Sequence, residues 1–394
     1  MSGFMIADLD FGIGCCGCLG FLKKADKEAD SDKLRALAKS RGGSTRKLAS
    51  SVPEKSRTIC REKTVKETKH LTLDQDYSGQ KMINEYVREC TLGRGSYGKV
   101  VLYRSSIDDK QYAIKLFYKS RLSRLQVTPT ETAMTDVLRE KSMQNMLFSF
   151  FLQVSIMKTI EHPNLINLIE VIDDPVSDNL YMVLEYVEGK SVCASSGTFG
   201  GIGEVISRRY LRDIISGLMY LHAHDIVHGD IKPDNLLVTK EGTVKIGDFS
   251  VSHFFKDGDD ELFRSPGTPV FTAPECCLGS GYHGKVADVW AVGVTLCCMI
   301  LGCCPFIGDS LQDTYDKIVY SPLDLPMDID PELKNLLQGL LCKDPACRIT
   351  LDAVADHPWV TRDCGLIPRT SCRCKSGCLQ KENQIGSKSD TTIT

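Results

Sequence analysis

Apolar residues fall into short strand-like runs in one part of the chain and recur at helical spacing in the next. Val100-Val101-Leu102-Tyr103, Gln111-Tyr112-Ala113-Ile114-Lys115 and Leu180-Tyr181-Met182-Val183-Leu184 are rich in β-branched, aromatic and aliphatic residues and have the length of strands. From about 85 to 188 such runs alternate with one helical segment. Between about 205 and 360 the helical period takes over, with Tyr210, Leu211, Ile214, Ile215, Leu218 and Leu221 on one face. The pattern predicts an α+β chain, a sheet-rich part followed by a helical part. Residues 1–80 and 361–394 lack sustained periodicity and are polar, which predicts a disordered leader, basic and polar with a cysteine cluster, and a disordered tail.

Val289 to Gly308 holds no charged residue over 20 positions, enough to cross a bilayer by length. Its Gly and Pro and its composition fit a buried core helix better. The chain has 394 residues, a formal net charge of −3 and ordinary apolar and charged fractions, which gives no argument for nucleic-acid binding. Many of the 18 cysteines are adjacent pairs in apolar runs, such as Cys297-Cys298 and Cys303-Cys304. Such neighbours do not form a disulfide framework, no secretory signal is evident, and a cytoplasmic or nuclear location is expected. Cys15, Cys16 and Cys18 beside Lys23 and Lys24 would attach the chain to a membrane only if S-acylated. No matched Cys/His pair lies nearby to make zinc the better reading.

The chemistry is carried by five motifs in order. Leu92-Gly93-Arg94-Gly95-Ser96-Tyr97-Gly98-Lys99-Val100 is a glycine loop, and it runs into a strand rather than opening a helix, unlike a dinucleotide-binding turn. Lys115 follows Gly98 by 17 residues in Ala113-Ile114-Lys115. Then come His228-Gly229-Asp230-Ile231-Lys232-Pro233-Asp234-Asn235, Asp248-Phe249-Ser250 and Ala273-Pro274-Glu275. In this order they match the signature set of protein kinases, which move the γ-phosphoryl of ATP to a protein hydroxyl.

Residues 81–360 thus resemble a eukaryotic protein-kinase domain. The resemblance implies a two-lobed fold: a small antiparallel-sheet lobe with one main helix, about 81–187, and a larger helical lobe, about 188–360. It implies ATP and Mg²⁺ as cofactors. Asp230 would orient the acceptor hydroxyl and take its proton, and Lys232 would neutralise the γ-phosphate and favour Ser/Thr acceptors. Lys115, paired with Glu140 from the small-lobe helix, would hold the α/β-phosphates. Asn235 and Asp248 would bind metal. The glycine loop, Val100 and Ala113 would cover the nucleotide, Leu184 would guard its back, and Glu185 and Val187 would bond adenine. Asp288 would cap the catalytic loop, Glu275 would pair with Arg348, and Thr268 would touch that loop. More closely, Lys81-Met82-Ile83-Asn84-Glu85-Tyr86-Val87, Glu131-Thr132-Ala133-Met134-Thr135-Asp136-Val137-Leu138-Arg139-Glu140 and His222-Ala223-His224-Asp225 resemble the plant geminivirus Rep-interacting kinases. That likeness implies a substrate, the activation loop of plant AMP-activated-type energy-sensor kinases, and a viral replication protein as a partner. Glu170-Val171-Ile172-Asp173-Asp174-Pro175 is similar to calcium/calmodulin-dependent kinase kinases.

Three departures stand out. Gly229 replaces the Arg that docks an activation-loop phosphate, and Arg264 stands four residues before Thr268, where that phosphate usually sits. An enzyme that does not wait for that phosphate is expected, with Ser265, Thr268 and Thr272 as candidate autophosphorylation sites. Ser250 replaces the usual Gly and restricts the backbone. The third departure is an insertion, residues 141–153, between Glu140 and Val154. As continuous helix it would turn the following face by about 220°. Looped out it costs about 2 kcal/mol in closure entropy, but it contains no Gly or Pro and exposes Met146, Leu147, Phe148, Phe150, Phe151 and Leu152. Two functions therefore stand open: an active Ser/Thr kinase, or an impaired isoform that acts as a scaffold or decoy.

Overall fold

The computed structural model describes residues 61–95, 98–122, 150–193, 201–255, 258–263, 265, 267–279 and 281–368. Ser96, Tyr97, Glu140, Arg264, the cysteine cluster of the leader, the insertion up to 149 and the tail from 369 lie outside them.

The runs of β-branched and aromatic residues form the small lobe's sheet. Its strands are β1 (Lys66–Thr68), β2 (Leu73–Gln75), β3 (Lys81–Ile83), β4 (Tyr86–Gly95), β5 (Gly98–Ser105), β6 (Gln111–Tyr118), β7 (Leu168–Asp173) and β8 (Asn179–Glu185). They lie in the order β1-β7-β8-β6-β5-β4-β3-β2. Every pairing is antiparallel except β1 on β7. One face is filled by Ile83, Tyr86, Val101, Tyr103, Ile114, Ile172 and Val183. The other packs on a helix, α1, over 150–159.

Two expectations are corrected here. Residues 61–80 are not an unstructured leader, since they carry β1 and β2. Their sequence is polar because the bonds that place them are polar. The fully buried Glu170 accepts from Tyr86 Oη at 2.6 Å and from Thr68 Oγ1, and it pairs with Lys66 Nζ at 3.2 Å. Arg61, its side chain 4% exposed, donates to the carbonyls of Met157 (2.8 Å), Ile160 (3.0 Å) and Leu168 (2.9 Å), closing the C-terminal end of α1. A cation there also complements the helix dipole. Arg61→Ala is expected to lower the unfolding free energy by about 2–3 kcal/mol, read as a lower denaturant midpoint at unchanged slope.

The second correction concerns the insertion. Its last four residues, 150–153, are helical and belong to α1 rather than to a loop. Phe150 is buried and meets Phe117 edge-on, with ring centroids 4.7 Å apart. Leu152 packs on the core, and only Phe151 of the three stays exposed.

The large lobe is built on α2 (Glu204–Ala223), α3 (Gly284–Leu301), α4 (Leu311–Tyr320) and α5 (Pro331–Leu340). Leu211, Ile214, Ile215, Leu218 and Leu221 of α2 are fully buried, the stripe read from the sequence. α3 is long and apolar enough to cross a membrane, yet 72% of it is buried within the protein, around Trp290. It is the central core helix of this lobe. Ser310 and Asp330 cap α4 and α5 by accepting from backbone N–H groups of their first turns. Short hairpins carry the loops that matter: β10 (Leu236–Val238) with β11 (Val244–Ile246), and β9 (Ile226–Val227) with β12 (His253–Phe254). No disulfide joins the described cysteines.

Candidate active site

The site lies where the sheet faces the β9–β12 loops. β6 sits between β5 and β8, with Lys115 opposite Val100 and Met182. Lys115 Nζ reaches down to Asp248 Oδ1 at 3.0 Å. Asp248 has a φ of +56°, a left-handed conformation that Asp tolerates better than most residues. Phe249 beside it is fully buried against the His228 ring, with centroids 5.2 Å apart. Burial works to raise the Asp248 carboxyl, but the Lys115 ammonium and hydrogen bonds from Lys115 and Ser250 outweigh it and hold it below its ordinary value.

That Ser250 bond was not legible in the sequence, where only the loss of a glycine was apparent. It gives Asp248 a neutral donor that Gly could not supply. Ser250→Ala is expected to raise the KM for ATP at limiting Mg²⁺ about three- to tenfold, the net worth of one ordinary hydrogen bond. Steady-state titration of ATP against Mg²⁺ checks it.

The loop 228–235 is rigidly tied. Asp288 of α3, 2% exposed, accepts from the N–H groups of His228 and Gly229, each at 2.9 Å, and bonds His222 Nε2 at 2.9 Å. Gly229 has a φ of +79°, and a Cβ there would come within 3.1 Å of the Val251 carbonyl. A side chain at that position would be strained.

Asp230 is the hub. Its Oδ1 accepts from Thr268 N (3.0 Å) and Thr268 Oγ1 (2.8 Å). Its Oδ2 meets Lys232 Nζ at 2.7 Å and accepts from Asn235 Nδ2 at 3.0 Å. Lys232 Nζ also donates to Thr268 Oγ1 at 2.6 Å. Burial again works to raise the Asp230 carboxyl, and the Lys232 charge with the Lys232 and Thr268 hydrogen bonds overcomes it, leaving it below the ordinary carboxylate range. The aspartate is thus ionised at neutral pH and held in one orientation, as a proton acceptor needs. Of the three hydroxyls in the segment, Thr268 is committed to Asp230 and Thr272 is buried, while Ser265 is exposed.

Asn235 spends its amide N–H groups on Asp230, which leaves its amide oxygen for a cation. Together with the Asp248 carboxylate this is a hard oxygen donor set that suits Mg²⁺, an ion that completes its shell with water and substrate phosphates. No group of three or more His, Cys, Asp or Glu among the described residues forms an all-protein metal cage.

The remaining predicted positions lie on the nucleotide side. Gly93, Gly95, Gly98, Lys99 and Val100 line the β4–β5 hairpin, with Leu92 and Arg94 exposed along β4. Gly98 is required by the sheet itself, since a Cβ there would fall 1.7 Å from the Leu116 carbonyl oxygen. Ala113 lies opposite Leu184 on β8. Glu185 bonds Asn167 through its backbone N–H and pairs with Lys245 through its carboxylate at 2.9 Å, tying the inter-lobe strand to β11. Val187 is buried just beyond. Glu140 lies outside the described residues, and the helix residue directly before Val154 is Gln153.

A glycine hairpin over a strand lysine, facing two aspartates held by a separate helical lobe, defines a phosphoryl-transfer site of the protein-kinase class. Residues 86–360 match the protein kinase domain family, and the chain belongs to it. It is similar to serine/threonine-protein kinase GRIK1 of Arabidopsis thaliana, with 62% identity over 326 residues, covering 83% of this chain and 79% of that protein. Serine/threonine-protein kinase GRIK2 of the same plant is 60% identical over 338 residues, 85% of this chain and 80% of that one. SNF1-activating kinase 1 of Saccharomyces cerevisiae is 33% identical over 372 residues, 81% of this chain and 32% of its own length. The chain is an ATP-binding serine/threonine protein kinase.

Proposed function

We infer that this kinase acts at the head of a cascade, phosphorylating the activation-loop threonine of AMP-activated-type energy-sensor kinases in the cytoplasm or nucleus. The observation that carries this is the similarity, over most of the chain, to the two GRIK kinases, joined by the relative whose name records activation of SNF1. In this reading Asp230 takes the acceptor proton, Lys232 steadies the transferring group and Thr268 sets the acceptor's position. Lys115 orients the nucleotide. Asn235 and Asp248 hold Mg²⁺, which when bound neutralises charge on the phosphates. The Gly229 backbone offers no side chain to dock an activation-loop phosphate, in keeping with an enzyme that needs no upstream kinase.

The test is transfer from labelled ATP to a kinase-dead energy-sensor kinase, compared with the same acceptor carrying Ala at its activation-loop threonine. Label confined to the intact acceptor is the expected result. Equal labelling of both acceptors would refute the substrate assignment. A second reading, an impaired isoform acting as a scaffold, is favoured by one observation: the helix position before Val154 holds an amide. It predicts stable binding of the acceptor with no label above an Asp230→Asn blank.

A further inference from the structure

We propose that Gln153 occupies the α1 position from which a carboxylate holds the strand lysine in this family, and that the amide there limits the transfer rate of this chain. The inference rests on the kinase activity and not on the identity of the acceptor.

The register carries the argument. Without residues 141–153, Val137, Leu138, Arg139 and Glu140 would precede Val154; here Phe150, Phe151, Leu152 and Gln153 do. Phe150, Gln153, Val154 and Met157 stand at i, i+3, i+4 and i+7, one helical stripe, and all four are buried. Phe150 fixes where that stripe points, because its ring meets Phe117 of β6 at 4.7 Å. Phe117 and Lys115 are two residues apart on one strand and so share a face. Lys115 Nζ lies 5.4 Å from the Phe117 ring centroid. One turn along α1 from Phe150, and on the same buried stripe, stands Gln153, only 3% exposed.

The consequence is a shortage of negative charge. Among the described residues Lys115 pairs with Asp248 alone. Asp248 must then both neutralise Lys115 and serve as a metal ligand. A glutamine oxygen can accept from an ammonium, but it carries no net charge and cannot neutralise it as a carboxylate does. A carboxylate at 153 would share Lys115 and free Asp248 for the cation.

The test has two arms, both on the full-length chain. In the first, ligand-free protein is unfolded thermally as a double-mutant cycle of Gln153→Glu with Lys115→Met. Gln153→Glu is expected to raise Tm by about 2–4 °C when Lys115 is present and to lower it when Lys115 is Met, because a buried carboxylate without its ammonium is costly. In the second, transfer to a general basic protein acceptor is measured. Gln153→Glu is expected to raise kcat roughly tenfold or more, with a smaller change in the KM for ATP. Gln153→Leu, of similar bulk and no charge, brings no gain. A chain lacking 141–153, which sets Glu140 directly before Val154, matches Gln153→Glu. An identical Tm shift in both Lys115 backgrounds would overturn the proposal. So would a deletion chain that is fast while Gln153→Glu stays as slow as the natural chain, since the insertion would then act by something other than the missing charge.

Discussion

Asp230→Asn is expected to lower kcat by roughly 10²–10⁴-fold, the usual worth of a positioned general base, while leaving the protein folded. The carboxylate receives four contacts, from Thr268 N, Thr268 Oγ1, Lys232 and Asn235, all donors. An asparagine can present one oxygen to this ring, so the pair from Thr268 survives while the amide N–H₂ faces Lys232 and Asn235. The proton acceptor is gone and the loop's orientation is partly kept. The loop is also anchored independently through Asp288, which bonds the N–H groups of His228 and Gly229 and is not affected. The check is a rate measurement beside a thermal unfolding curve. A fall in Tm as large as that of a core deletion would mean that Asp230 is mainly structural.

The second large effect is on stability. Arg348 and Glu275 form a two-pronged pair, Nη1 to Oε1 at 2.7 Å and Nη2 to Oε2 at 2.8 Å, with the Arg348 side chain fully buried. Arg348 also donates to the carbonyls of Cys342 and Val286. Arg348→Leu strands a carboxylate in the interior and is expected to cost about 3–5 kcal/mol. Replacing both partners with leucine should cost less than Arg348→Leu alone, because no buried charge remains, and a denaturant series on the three variants measures this coupling. Glu275 lies in the first turn of the short helix Pro274–Cys277, which follows Thr268 and Phe271. Loosening it should also blur the Thr268–Asp230 contact, so the single variant loses transfer rate well below its melting temperature.

Much of the site was legible because its parts are local. Asp230, Lys232 and Asn235 fall within six residues, and their mutual bonds follow from that spacing. The α2 stripe was legible for the same reason, one period repeated over about three turns. What escaped was set by distant partners. β1 is Lys66-Glu67-Thr68, with no apolar residue to announce it. Its place depends on Glu170, 102 residues from Thr68 and buried in the sheet, and on Lys158 of α1, which meets Glu67 at 2.7 Å. The Ser250 hydroxyl could be seen only as a lost glycine until Asp248 was placed beside it. The insertion misled for a similar reason. Periodicity shows that 13 extra residues break the helical face, but the place of the last of them is set by a distant contact, Phe150 on Phe117 of β6.

The most direct test of the account is phosphoamino-acid analysis of protein labelled by the purified full-length chain with ATP and Mg²⁺, with Asp230→Asn as the blank. The account predicts slow label on serine and threonine, none on tyrosine, and none above background in the blank. Folded protein that gives no label above the blank, or label on tyrosine, would contradict the assignment of Asp230, Lys232 and Thr268 as a working serine/threonine transfer site.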